Sequence, residues 1–222
     1  MAVKAITGLV KRMVVVSVLL FLPGYSLDFW NAWVFLVIYY VAQLWIIFFF
    51  LKNDPVLLAR RLKGGPPYEP RGRQKAAMCL VSFSICALFL AAGLDHRFGW
   101  SRVNASVAIV ANLALLVGFW IQFSAFRANT FASAIITTIP AQKVISTGPY
   151  AFVRHPMYSG ALLVNCSSAV ALGSWWALPF AFAWLVAIVA RLLDEEMMLR
   201  QNLSGYEEYC RKVRFRLVPH VW

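Results

Sequence analysis

The chain has 222 residues, of which 61% are apolar and only 14% charged, and it carries a net charge of +12. A soluble domain holds roughly half apolar and a quarter charged residues, so this composition excludes an ordinary water-soluble globule. Long apolar runs between charged patches predict an all-α, polytopic integral membrane protein, and the alternating pattern of a membrane barrel is absent.

Lys4, Lys11 and Arg12 precede a short apolar run that ends at Pro23-Gly24. No small-x-small cleavage site follows, so residues 10–23 read as an uncleaved first span. Residues 29–51 form a second span with Trp30, Trp33 and Trp45 nearer its ends, as interfacial aromatics tend to lie. Residues 52–75 are a basic loop rich in Pro and Gly. There Asp54-Pro55 can start a short interfacial helix through Leu62, and most of the loop reads as a solvated cytoplasmic face, with part of it a candidate lid. Spans over about 76–94 and 104–126 follow, joined by an outer loop at Asp95–Val103, and their small residues suit close helix packing. Gln122 lies near the inner end of the fourth span, where an amide usually bonds a neighbouring helix.

Residues 127–147 read as an interfacial segment, too polar to span and too apolar for a plain linker. Two short runs at about 157–172 and 175–190, broken at Gly173-Ser174, predict a tight helical hairpin. The last helix is expected to continue past Arg200 and to stop near Ser204-Gly205, before a basic, aromatic tail. Five to six transmembrane helices result, with residues 1–126 as an N-terminal helical part and 127–222 as a C-terminal part that carries its polar clusters on the cytoplasmic side.

With residues 52–75 inside, all of the 21 Lys and Arg residues except Arg97 and Arg102 face the cytoplasm. The charge therefore reports the topology of a multi-pass protein of the inner or cell membrane, with attraction to lipid headgroups, and gives no support for a nucleic-acid partner. The four cysteines show no metal-ligand spacing and imply no disulfide framework, and no metal site is expected.

Chemistry concentrates in two stretches. The first runs Ser146-Thr147-Gly148-Pro149-Tyr150-Ala151-Phe152-Val153-Arg154-His155-Pro156-Met157-Tyr158-Ser159-Gly160. Gly148-Pro149 reads as a turn, and Pro156 fits the first turn of a helix, so Arg154 and His155 stand at a helix mouth suited to an anion. The second is Arg191-Leu192-Leu193-Asp194-Glu195-Glu196, which holds three of the nine acidic residues where a span emerges. Arg191 and Glu195, four apart, share a helix face, whereas Glu196 points elsewhere and reads as solvated. The hairpin brings both stretches to the same side. Residue pattern alone stops at a cytoplasm-facing polar site with no named reaction.

These residues, followed by Gly205-Tyr206-x-x-Tyr209 and Arg216-Leu217-Val218-Pro219, resemble the isoprenylcysteine carboxyl methyltransferase family, its bacterial members above all. The likeness covers roughly residues 127–222, and membrane phospholipid N-methyltransferases share the Arg-His-Pro element. The resemblance implies S-adenosylmethionine as cofactor, with Val144, Ile145, Tyr150, Arg154, His155, Pro156 and Tyr158 lining its pocket. It further implies that Glu195 contacts the cofactor and that Arg191 holds the carboxylate of a lipophilic small-molecule or lipidated acceptor. The chain departs from the family pattern at Ile136-Thr137-Thr138, where relatives carry a glutamine. Phospholipid or other amine N-methylation is the alternative reaction. A transporter or a non-catalytic scaffold is the alternative class, and a transporter predicts ionisable residues deep in the spans.

Overall fold

The computed structural model describes residues 1–69, 71–135 and 142–222, so the Ile136-Thr137-Thr138 departure lies outside the described residues. Among the described residues there are eight α-helices and no strand: α1 Ala2–Gly24, α2 Trp30–Asn53, α3 Pro55–Arg61, α4 Gly72–Phe98, α5 Ala105–Ala128, α6 Pro156–Ala171, α7 Leu178–Asn202 and α8 Tyr206–Lys212. Of these, α1, α2, α4 and α5 are long and apolar enough to cross a membrane. At 16 residues, α6 is about 24 Å long, less than the roughly 30 Å hydrocarbon core.

The punctuation of the chain sets most boundaries. Asp54 caps α3 by accepting a hydrogen bond from Leu57 N at 2.9 Å, with Pro55 in the first turn. Asn104 does the same for α5 through Ser106 N at 3.0 Å. Gly99 closes α4 in the left-handed conformation that a glycine adopts freely (φ 63°). The first helix begins at Ala2, well before residue 10. Lys4, Lys11 and Arg12 do not interrupt it, because long basic side chains leave the backbone helical, and it runs through Pro23 to Gly24 before Tyr25 closes it in the left-handed conformation (φ 49°). Similarly, α4 starts at Gly72 and gains a polar first turn that carries Gln74 into the interior.

In the assembly, α6 lies along α5, α7 along α4, α1 along α4 and α2 along α5. The α5–α6 crossing is made by two glycines. A Cβ on Gly160 would fall 2.6 Å from Gly118 O, and one on Gly118 would fall 2.9 Å from Gly160 O and 2.8 Å from Val164 Cγ2. The backbones touch directly, as small residues permit in helix pairs within lipid. At the end of the bundle away from the two polar stretches, buried Asp95 accepts from Ser101 N and Ser101 Oγ, both at 2.6 Å, and from Ser174 Oγ. That carboxylate ties the α4–α5 loop to the α6–α7 turn, and so fixes the hairpin against the bundle.

Because α6 begins at the site and its register is held by Gly118, Gly160→Ala is expected to cost about 1–3 kcal/mol through overpacking. Thermal unfolding of the detergent-purified protein checks this; an unchanged midpoint would mean the helices part without cost.

Candidate active site

His155 and Pro156 start α6 as its N-cap and first residue, and Gly148–Ala151 forms a single 3-10 turn before them. This turns the Tyr150–Tyr158 stretch back under the bundle, where α7 passes it. Glu196 of α7, which the sequence presents as a solvated carboxylate, is instead 3% exposed and is the hub of the site. Its Oε1 accepts from Arg154 Nε at 2.6 Å and faces His155 Nε2 at 3.2 Å, and its Oε2 accepts from Arg216 Nε at 3.1 Å. The correction has a plain cause: a lone carboxylate at a span border prefers water, but three cationic or donor side chains from distant stretches converge on this one. Burial works against the charge, yet His155 and Arg154 outweigh it and hold the Glu196 carboxyl down to about 2.

The tail completes the hub. Arg154 N and His155 N donate to Phe215 O and Arg216 O, each at 2.9 Å, and Arg154 Nη1 donates to Val213 O at 3.1 Å. Ser159 Oγ donates to Leu217 O at 2.6 Å and Tyr209 Oη to Tyr150 O at 2.8 Å. The tail thus lies along the start of α6 as a strap.

One position before the hub, Glu195 turns to an adjacent face. Its Oε2 accepts from Tyr158 Oη at 2.8 Å, and Arg191 Nε donates to the same hydroxyl at 3.3 Å. Tyr158 therefore stands between the two residues that the helical spacing placed on one face. Arg191 is 4% exposed and its other donors are engaged. They reach Glu69 Oε1 at 2.6 Å, Gln74 Oε1 at 3.0 Å and Ala134 O at 2.9 Å. Gln74 also donates to Asp194, which lies 3.6 Å from Arg71. The loop between α2 and α4 thus closes over this side of α7.

A cavity opens between these layers, with about 800 Å³ of empty space counted out to the solvent at its mouth. Val144, Ile145, Tyr150, Arg154, His155, Tyr158 and Glu195 all line it, with Phe131 and Leu199 as apolar walls. Two of the sequence-derived positions do not: Pro156 is buried as the helix starter, and Arg191 lies behind Tyr158. Arg154 presents its stem, since its guanidinium is held by Glu196 and the tail. The lining also includes Tyr206 and Tyr209 of α8, Lys143 and Asn129. Among the described residues, the buried Tyr206 hydroxyl has no nitrogen or oxygen partner, only the Cys210 thiol beside it. Burial pushes the Tyr150 hydroxyl up to about 12 although Asn129 donates to it, so it remains a neutral donor at physiological pH.

Glu69 and Gln74 are polar residues that sequence reasoning passed over, whereas Glu196 was singled out there but read as solvated. A signal existed for Glu69: it is the single glutamate in a strongly basic loop. None existed for Gln74, whose role depends on where the polar first turn of α4 lands.

Replacing Glu196 by Ala leaves Arg154 buried without its countercharge, and is expected to cost about 3–5 kcal/mol. Limited proteolysis should then cut within residues 213–222. Since the folded-state pKa lies below the ordinary 4.5, the ionised hub contributes fully above that pH and its contribution is lost as pH falls towards about 2. Thermal scans across this range should show the acid loss in the native chain and not in Glu196→Gln.

Comparison with known proteins falls on the same stretch. Residues 107–204 match the family model described as phospholipid methyltransferase. The chain is 28% identical over 132 residues to the Delta(14)-sterol reductase TM7SF2 of Mus musculus, covering 52% of this chain and 31% of that protein. It is 26% identical over 153 residues to the Delta(14)-sterol reductase ERG24 of Saccharomyces cerevisiae, covering 64% and 33%. It is also 26% identical over 138 residues to the nickel-cobalt-cadmium resistance protein NccN of Alcaligenes xylosoxydans xylosoxydans, covering 53% and 62%. The chain thus spans about a third of the length of the two reductases and under two thirds of the resistance protein. Residues 107–204, which contain the Arg-His-Pro stretch, the hairpin and the Glu-Glu turn of α7, match the membrane methyltransferase family that shares this motif.

Proposed function

We propose that the chain is an integral membrane enzyme that uses S-adenosylmethionine to methylate a lipophilic acceptor, its site facing the cytoplasm and the α6–α7 hairpin adding one or two spans to the four. The observation that carries this is the cavity itself. It sets an acidic side chain, Glu195, and an underused hydroxyl, Tyr206, against apolar and aromatic walls within the methyltransferase-matched stretch. That donor set suits a ligand that is at once cationic, zwitterionic and aromatic. Glu195, with Oε2 fixed by Tyr158, would take an ammonium or ribose hydroxyl. Tyr150, Tyr206 and Tyr209 offer ring faces and hydroxyls, and Phe131 and Leu199 an apolar slot for a flat base.

When bound, S-adenosylmethionine supplies an electrophilic methyl group on a sulfonium, whose departure as a neutral thioether leaves the acceptor methylated. The chain's own contribution is placement and exclusion of water. The Glu196 hub holds α6, α7 and the tail in one geometry, while Glu69 and Gln74 seal the Arg191 side. An ionised carboxylate acceptor, as in an isoprenylcysteine-like molecule, needs no base. The phospholipid methyltransferase match favours a second reading, an amine acceptor, which must be neutral to attack; Glu195 is the carboxylate placed to receive a proton.

Calorimetric titration of the purified protein with S-adenosylmethionine and S-adenosylhomocysteine tests the reading. Both should bind, and Glu195→Ala should weaken them at least about tenfold, the scale of one lost charge-assisted hydrogen bond. Absence of binding by a folded native chain would overturn the assignment. The pH profile separates the acceptors: an amine substrate gives activity that rises with pH through the amine's own pKa, whereas a carboxylate gives none of that rise.

A further inference from the structure

A second cavity opens beside the first. It holds about 1120 Å³ of empty space among α2, α5 and α6, with apolar walls such as Ile46, Phe119 and Val164. Its charged lining is peculiar: among the described residues Arg12 and Arg61 are present, and no Asp or Glu is. Cations turned into an intramembrane cavity are costly unless they meet a partner there.

Arg61 is the informative one, because it belongs to the wall between the two cavities. Its Nη1 donates to Ser133 O at 2.9 Å and contacts Met157 Sδ at 3.3 Å, both residues of the first cavity. Its guanidinium carbon lies 4.6 Å over the ring of Phe126, a residue of the second. Among the described residues it has no salt bridge, and its Nε and Nη2 have no hydrogen-bond acceptor. Burial lowers its pKa, as does the nearby Arg191, and Tyr158, Tyr150 and Glu195 oppose them. An arginine stays charged regardless, so this is a half-buried fork of donors without a countercharge among the described residues. Arg191, by contrast, already has Glu69.

We infer that the second cavity is the acceptor site and that Arg61 holds the acceptor's oxyanion there, so the substrate class is an amphiphile with an anionic head. The inference rests on the methyltransferase reading for the word acceptor. It moves the anion-holding role expected of Arg191 to a residue of the α2–α4 loop. The apolar walls take the chain of the amphiphile, and the head reaches the partition beside Met157 and Ser133. A carboxylate and a phosphodiester share the chemistry that Arg61 recognises.

The test uses the full chain in detergent at pH 8, with fluorescent cis-parinaric acid and its methyl ester as probes. The acid should bind at least about tenfold tighter than the ester, the scale of a lost charge-assisted bond. Arg61→Gln should abolish that preference and Arg61→Lys should retain most of it. Displacement of the probe by lysophosphatidylethanolamine would identify a phosphodiester as an accepted head, and displacement by short carboxylic amphiphiles alone would identify a carboxylate. Equal affinity of the native chain for acid and ester would overturn the inference, as would undiminished preference in Arg61→Gln. Should that variant fail to fold, the native comparison still decides. Titration of the same samples with S-adenosylhomocysteine separates the two claims. Selective acid binding without nucleoside binding sinks the enzymatic reading alone, and the reverse sinks this one alone.

Discussion

A single buried carboxylate organises the end of this protein where the two polar stretches meet. Glu196 takes hydrogen bonds from the start of α6 and from the tail, with partners 41 and 42 residues upstream and 20 downstream of it. Such a network adds little net stability, because desolvating its members costs nearly what their attraction returns. Its yield is geometry. With Glu196 turned inward, the roughly 100° advance per residue directs Glu195 to the neighbouring face, where Tyr158 meets it at 2.8 Å. Two adjacent glutamates thus serve different ends, one holding the scaffold together and one facing the cavity.

The second layer repeats the device with parts from the first half of the chain. Arg191 is met by Glu69 and Gln74, Asp194 by Gln74 and Arg71, and the carbonyls of Thr130 and Ser133 by Arg60 and Arg61. Every one of these first-half residues comes from the loop after α2 or from the first turn of α4. That loop is basic by composition, which suits headgroups and topology, yet several of its charges are spent inward on the second half.

Much of this was legible in the sequence, for definite physical reasons. Helices in lipid must satisfy their own backbones, so apolar runs and Pro or Gly breaks located the main helices to within a few residues. Pro156 after His155 located the start of α6, and Asp54-Pro55 the start of α3. Misplaced boundaries share one origin: α1 and α4 extend through charged turns that a hydropathy reading discards although they are good helix formers. The site was legible as two clusters, because Gly148–Gly160 and Asp194–Glu196 are chemically conspicuous. What pairs with what was not. The partition of work between Glu195 and Glu196, and the arrival of Glu69 opposite Arg191, depend on helix rotation and on loop path, neither of which leaves a mark in local spacing. Position 61 is a further case, one arginine among many in its loop until the fold sets it between two cavities.

The inward-facing loop and the docked tail bear on what can be separated from what. Residues 107–204 hold the recognisable motif, but Arg216 lies after them, and Glu69 and Gln74 before them. A segment cut to those limits and grafted into another bundle would carry Arg191 and Arg154 into the interior short of the acids and carbonyls that answer them. The transferable unit is therefore discontinuous, a motif together with a distant loop and a strap, and any chimera that swaps the first helices must bring a matching pair of side chains for Arg191 with it.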